Sequence, residues 1–290
     1  MKGKVMDLTS TKVIKEIAER FGFNFSKGLG QNFLLDETVL DKIVDATDID
    51  SGVLEIGPGF GVLTRHLAKT GKKVVSVEID SRLIPVLDFT LSDYDNVEIV
   101  NHDILKTDIS KLLEEKFSSD GISVAANLPY YITTPIITRL IEEKLPLKNI
   151  VVMVQKEVAT RICANPGGKD YGAISVLCQY YTNPRLVTIV PRSSFYPAPN
   201  VDSAVLCMEV CKTPNVKTKD EKLFFRIVRA SFAQRRKTLL NCLSSAFSAD
   251  KQTICGVLEG IGINPSIRGE KLGLLEFAKI CDAFFEKEIK

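Results

Sequence analysis

Histidine is nearly absent from this sequence of 290 residues: only His66 and His102 are present. Neither stands beside suitable partners in the chain, so a His-rich zinc centre or a Ser-His-Asp triad is not expected, and neither is any other metal site. Also missing is any stretch near the roughly 20 consecutive apolar residues that a bilayer crossing requires. Residues 1–11 contain Lys2, Lys4 and Asp7 and no apolar run of the secretory kind. Secretion and a membrane partner are therefore not expected. Cysteine is present seven times, an odd number, scattered and without a C-x-x-C pair. That is the pattern of reduced, mostly buried thiols in a cytoplasmic protein.

Nor does one sign of charge dominate, with 38 basic and 36 acidic side chains beside 45% apolar residues. This is the composition of an ordinary globular chain long enough for one large domain or two modest ones. The overall balance conceals an asymmetry: residues 211–290 hold 15 basic and 9 acidic side chains, whereas residues 1–210 carry a net −4. A basic C-terminal part fits a polyanionic partner.

Apolar periodicity is plentiful. Helical spacing over residues 13–21 and 37–46 precedes a first strand at 53–56, a glycine turn and a helix through residue 69. Strands at 73–77, 97–100, 122–126 and 149–154 then alternate with helices at 81–89 and 135–143. Further helices at 156–164 and 173–181 are followed by strands at 185–190 and 203–210 that close a sheet edge. The alternation predicts an α/β fold, a doubly wound parallel sheet with helices on both faces. Beyond residue 211 the pattern is helical to the end. We therefore expect a catalytic domain over 1–211, including the N-terminal helical segment, and a smaller helical domain over 212–290.

Between the first strand and its helix the sequence reads Glu55-Ile56-Gly57-Pro58-Gly59-Phe60-Gly61. Such a turn lets the backbone approach a ligand and aims amide groups at it. A dinucleotide fingerprint would need glycine where Val62 stands, which disfavours a pyrophosphate and a nicotinamide oxidoreductase. Glu78 ends the second strand, where a carboxylate can accept bonds from both ribose hydroxyls, and Asp103 follows the third, within reach of an adenine amine. Ribose and adenine recognition without phosphate suits S-adenosylmethionine. Taken singly, the glycines also fit a tight turn, Glu78 a surface carboxylate and Asp103 a helix N-cap.

After the fourth strand comes Asn127-Leu128-Pro129-Tyr130. Enzymes that methylate exocyclic amines of bases use motifs of this type, because the N6 lone pair of adenine is delocalised into the ring until the amine is held. The Asn127 side-chain oxygen and the Leu128 carbonyl can each accept one N6 hydrogen, and Tyr130 can stack on the base. In the C-terminal part Arg226, Arg229, Arg235, Arg236 and Lys237 crowd into twelve residues of helical pattern, a candidate set of phosphate-binding side chains.

The chain resembles the ribosomal RNA adenine N6,N6-dimethyltransferases. The resemblance runs from Gly28-Leu29-Gly30-Gln31-Asn32-Phe33-Leu34 through the glycine turn, Asn127-Leu128-Pro129-Tyr130 and Gln155-Lys156-Glu157-Val158. It continues at Tyr171-Gly172, Phe195-Tyr196-Pro197 and Val201-Asp202-Ser203-Ala204, and ends at Phe232-Ala233-Gln234-Arg235-Arg236-Lys237-Thr238. It implies a Rossmann-like, class I S-adenosylmethionine-dependent methyltransferase with a small C-terminal helical domain that binds RNA. It implies dimethylation of two adjacent adenosines in the 3′-terminal hairpin loop of 16S rRNA within the immature 30S subunit, by a monomer. Carried over by motif position, cofactor contacts fall on Asn32, Leu34, Gly57, Glu78, Asp103 and Asn127, and an aromatic ring on the far face of the target base falls on Phe195. Tyr131 departs from the commoner small or polar residue at its position. The alternatives are a 23S rRNA adenine N6-methyltransferase of the macrolide-resistance type, and a ribosome-assembly factor in which binding outweighs catalysis.

Overall fold

Runs of β-branched and aliphatic residues such as Val53-Leu54 and Val74-Val75 form strands that are buried on both faces, as the inner strands of a parallel sheet must be. In the computed structural model, which describes residues 6–25, 31–117, 121–234 and 236–289, these runs build one large sheet. The chain begins with α1 (Thr11–Arg20), β1 (Phe33–Leu34), α2 (Glu37–Thr47), β2 (Gly52–Ile56) and α3 (Val62–Ala68). It goes on through β3 (Lys73–Glu78), α4 (Ile84–Thr90), β4 (Val97–Asn101), α5 (Ile109–Lys116), β5 (Ile122–Asn127), α6 (Thr133–Glu142), β6 (Leu147–Gln155), α7 (Lys156–Ile162) and α8 (Ala173–Tyr181). Then come β7 (Thr182–Val190), β8 (Phe195–Tyr196), β9 (Ser203–Val210) and the helices α9 (Glu221–Phe232), α10 (Leu239–Ala246), α11 (Lys251–Gly260) and α12 (Leu274–Glu286).

The sheet order is β4-β3-β2-β5-β6-β9-β7, parallel from β4 to β6, with β9 antiparallel to β6. The chain travels outward from β2 to β4, then returns to place β5 on the other side of β2. That reversal opens a crevice beyond the carboxyl ends of β2 and β5, where open α/β sheets bind their ligands.

Three local features differ from expectation. The helix expected over 81–89 starts as a 3₁₀ turn, Ser81–Leu83, and becomes α4 only at Ile84; Pro85, lacking an N–H, is tolerated in that first helical turn. Helix α5 was not expected; the Asp108 carboxylate caps it by accepting the Lys111 N–H. A second, two-stranded sheet pairs β1 with β8, Phe33 opposite Tyr196 and Leu34 opposite Phe195.

By its internal packing the chain divides into two units, the first Met1–Ala159 with Arg185–Val210, the second Thr160–Pro184 with Cys211–Lys290. The second unit thus takes in residues 160–184 as well as those after 210. The reason is apolar packing: Tyr171, Val176 and Tyr180 share a core with Phe224, Ile227, Phe277 and Phe284. In the first unit Ile14, Ile17 and Ala18 of α1 join the core beneath α2 and α3. Among the described residues no helix is long and apolar enough to cross a membrane.

Candidate active site

The glycine turn after β2 is shaped by its neighbours. Gly57, Gly59 and Gly61 all have positive φ, at 71°, 61° and 81°. At Gly59 a second constraint applies, since a Cβ there would lie 2.6 Å from Cε1 of Phe33. The Phe33 ring belongs to an aromatic cluster, with centroids 4.8 Å from Phe60 and 5.9 Å from Phe25. The turn thus lies directly under the β1 segment.

An open cavity follows the ends of β2, β3, β4 and β5. Its wall contains all six residues expected to touch the cofactor, Asn32, Leu34, Gly57, Glu78, Asp103 and Asn127, together with Leu128, Pro129 and Tyr130. Glu78 is buried, its Oε1 accepting the Asp80 N–H at 2.8 Å and its Oε2 the Gly59 N–H at 3.2 Å. Burial raises its pKa above the ordinary carboxylate value, while the Asp80 and Gly59 amides oppose that shift. Asp103 serves as a local cap as well, accepting the Leu105 N–H at 3.0 Å. Beneath the turn Glu55 is 1% exposed, and its Oε2 accepts from Thr64 and Ser76 hydroxyls, each at 2.6 Å. Burial raises its pKa to about 7.

At the other end of the cavity, Asn127 Nδ2 donates to the Asn32 carbonyl at 2.9 Å. A carbonyl can only accept, so the partner dictates which way the amide faces, and the side chain's remaining polar atom is the acceptor Oδ1. The Leu128 N–H donates to the Met153 carbonyl of β6 at 3.2 Å, fixing that peptide. Tyr130 opens a 3₁₀ turn, Tyr130–Ile132, and its hydroxyl meets Ser203 Oγ of β9 at 2.6 Å. Burial pushes the Tyr130 phenol up from its usual value. This bond joins the Asn-Leu-Pro-Tyr segment to the Val-Asp-Ser-Ala segment, which the sequence alone left without a task.

Phe195, expected on the far face of the target base, lies in β8, which pairs with β1, the strand of the cavity-lining Phe33 and Leu34. It is 5% exposed, lies in the core and is not among the residues lining the cavity. Pairing of β8 with β1 sets it opposite Leu34 and turns it inward. Conversely, Ile79, His102 and Tyr131 line the cavity although the sequence did not mark them as site residues. Each adjoins a residue that it did mark, so the signal was their place at a strand end.

In the second unit Arg226 is occupied locally: its Nη2 donates to the Ala246 carbonyl at 2.7 Å and its guanidinium lies 4.3 Å from the Phe247 ring centroid. It secures the end of α10 and is exposed. Arg229, Arg236 and Lys237 are exposed, and Arg235 lies outside the described residues.

Fold and cavity together define a methyltransferase of the Rossmann-like kind. The model of the family described as Ribosomal RNA adenine dimethylase matches residues 22–282, and the chain belongs to that family. It is 50% identical over 290 residues to Ribosomal RNA small subunit methyltransferase A of Bacillus cytotoxicus, covering 98% of this chain and 99% of that one. Among solved structures, a dimethyladenosine transferase from Plasmodium falciparum superposes with a TM-score of 0.73 at 29% identity, over 89% of this chain and 98% of that one. The 23S rRNA methyltransferase ErmE shares the fold, with a TM-score of 0.66 at 24% identity over 87% and 98% of the two chains.

Proposed function

We propose that this protein transfers methyl groups from S-adenosylmethionine to the N6 amines of two adjacent adenosines in the 3′-terminal hairpin loop of 16S rRNA, acting in the cytoplasm as a monomer on the immature 30S subunit. The observation that carries this reading is the chemistry of the cavity wall. The described residues lining it include Glu78 and Asp103 but no Lys or Arg. Such a wall suits a cationic, phosphate-free nucleoside and disfavours a pyrophosphate. Glu78 sits where ribose hydroxyls can be accepted, Asp103 where an adenine amine can, and the Gly57 and Gly59 backbone where no side chain obstructs.

When bound, S-adenosylmethionine supplies an electrophilic methyl on sulfur, and sulfur takes back the bonding pair as the methyl leaves. The residues of this chain prepare the acceptor. Asn127 Oδ1 and the Leu128 carbonyl accept the two N6 hydrogens, turning the nitrogen lone pair toward the methyl and offsetting the positive charge that develops on nitrogen. Tyr130, anchored at its hydroxyl by Ser203, holds the extruded base by its face. After transfer, N6 loses a proton to solvent, and no general base is needed before the bond forms.

In the second unit the exposed Arg229, Arg236 and Lys237 are the candidates for phosphate binding, with Arg235 beside them in sequence. That unit's sequence carries 17 basic against 10 acidic side chains, a field that attracts RNA. The test is to incubate the purified protein with labelled S-adenosylmethionine and small subunits that lack the modification. Label recovered as dimethyladenosine in 16S rRNA is expected. Label in 23S rRNA, or stable subunit binding without label, would overturn the reading.

A further inference from the structure

Two large apolar side chains of the cavity wall are substantially exposed, Ile79 at 53% and Tyr131 at 57%. Ile79 follows Glu78 at the nucleoside end. Tyr131 follows Tyr130 at the acceptor end, within the same 3₁₀ turn, Tyr130–Ile132. A 3₁₀ turn has three residues per revolution, so successive side chains diverge by about 120°. Tyr130 is directed by its bond to Ser203, so Tyr131 leaves the turn in another direction. An aromatic ring left in water at the rim of a cavity is a ready stacking surface.

We propose that Tyr131 is a positioning residue that stacks on the nucleobase adjoining the one held by Asn127 and Tyr130. The inference rests on the RNA methyltransferase reading above and extends it to the neighbouring nucleotide. With two adjacent adenosines as substrate, that neighbour is the other member of the pair in each round. The ring at position 131 then sets the register of the dinucleotide while the neighbouring side chain holds the reacting base.

The test uses the full chain and an RNA carrying the hairpin, with one of the two adenosines replaced by 2-aminopurine, a fluorescent purine that lacks an N6 amine. Binding to the unaltered protein is expected to quench the fluorophore by stacking. Tyr131→Ala is expected to abolish the quench and raise the KM for the unmodified hairpin about tenfold, with S-adenosylmethionine affinity within about twofold. Tyr131→Phe and Tyr131→Trp should restore both signals, whereas Tyr131→Leu, similar in apolar bulk but without a ring, should behave as the alanine variant does. An unchanged KM and quench in Tyr131→Ala, or full restoration by Tyr131→Leu, would overturn the inference alone. If the unaltered protein methylates no RNA, the functional reading falls, and this inference with it.

Discussion

The carboxamide of Asn127 and the backbone carbonyl of Asn32 are joined by a 2.9 Å hydrogen bond, so a residue far earlier in the chain orients the side chain assigned to the target amine. Removing that side chain should separate chemistry from binding. Asn127→Ala is expected to lower kcat by at least about 100-fold, the scale of losing one preorganised acceptor, while small-subunit affinity stays within a few-fold. Single-turnover methylation beside a subunit-binding assay checks this. Retention of full activity would remove the amine-polarising role.

The Ser203 hydroxyl meets the Tyr130 hydroxyl at 2.6 Å and is assigned to the site through that bond. Ser203→Ala should therefore leave S-adenosylmethionine affinity unchanged and weaken RNA-dependent turnover by a few-fold, about 1 kcal/mol for a neutral hydrogen bond. Tyr130→Phe, which loses the same bond from the other side, should match it, and the double variant should be no worse than either single one. Additive losses would mean that the two residues act separately.

Glu55 makes stability depend on pH in a defined direction. Its pKa in the folded chain is raised by burial to about 7 from 4.5, so the folded state binds a proton that the unfolded chain releases. The resulting stabilisation is fully present below about pH 4.5, declines as pH rises, and is gone above about pH 7. It amounts to roughly 3 kcal/mol at most. Glu55→Gln keeps an oxygen for the Thr64 and Ser76 hydroxyls without a titrating group. Urea unfolding of both proteins from about pH 5 to about pH 8 should show the variant gaining relative stability with pH, and parallel curves would refute the assignment.

For the second unit, Arg236→Ala with Lys237→Ala should weaken RNA binding similarly across sequences. The slope of log affinity against log salt should become shallower by about one for each phosphate that is no longer neutralised. Cofactor affinity should not move. Arg226→Ala should instead lower the thermal midpoint, since Arg226 holds the Ala246 carbonyl and covers Phe247. Titrations at several salt concentrations, with thermal melts alongside, distinguish the two effects.

Much of this was legible in the sequence because it is local. Strand, turn and helix repeat with short connections, and Glu78, Asp103 and Asn127 were recognisable by their position at strand ends. What was not legible depends on distant pairing. The pairing of Phe195 with Leu34 in the β1–β8 ladder joins segments far apart in the chain, and nothing in the local sequence of either announces it. Tyr171 and Tyr180 lie in sequence amid the sheet-forming part, but their apolar partners come from α9 and α12. The exposure of Tyr131 is equally hidden, because two consecutive tyrosines give no hint that one is anchored by Ser203 and the other open to solvent.

The ring of Phe33 fills the space into which a side chain at position 59 would grow. These two sites therefore cannot drift apart independently. A bulkier residue in the loop demands a smaller one in the N-terminal ladder, and even then the left-handed backbone at position 59 resists the exchange. Inheritance has to treat the pair as a single character, which ties the fate of the nucleoside pocket to a segment that precedes the whole sheet.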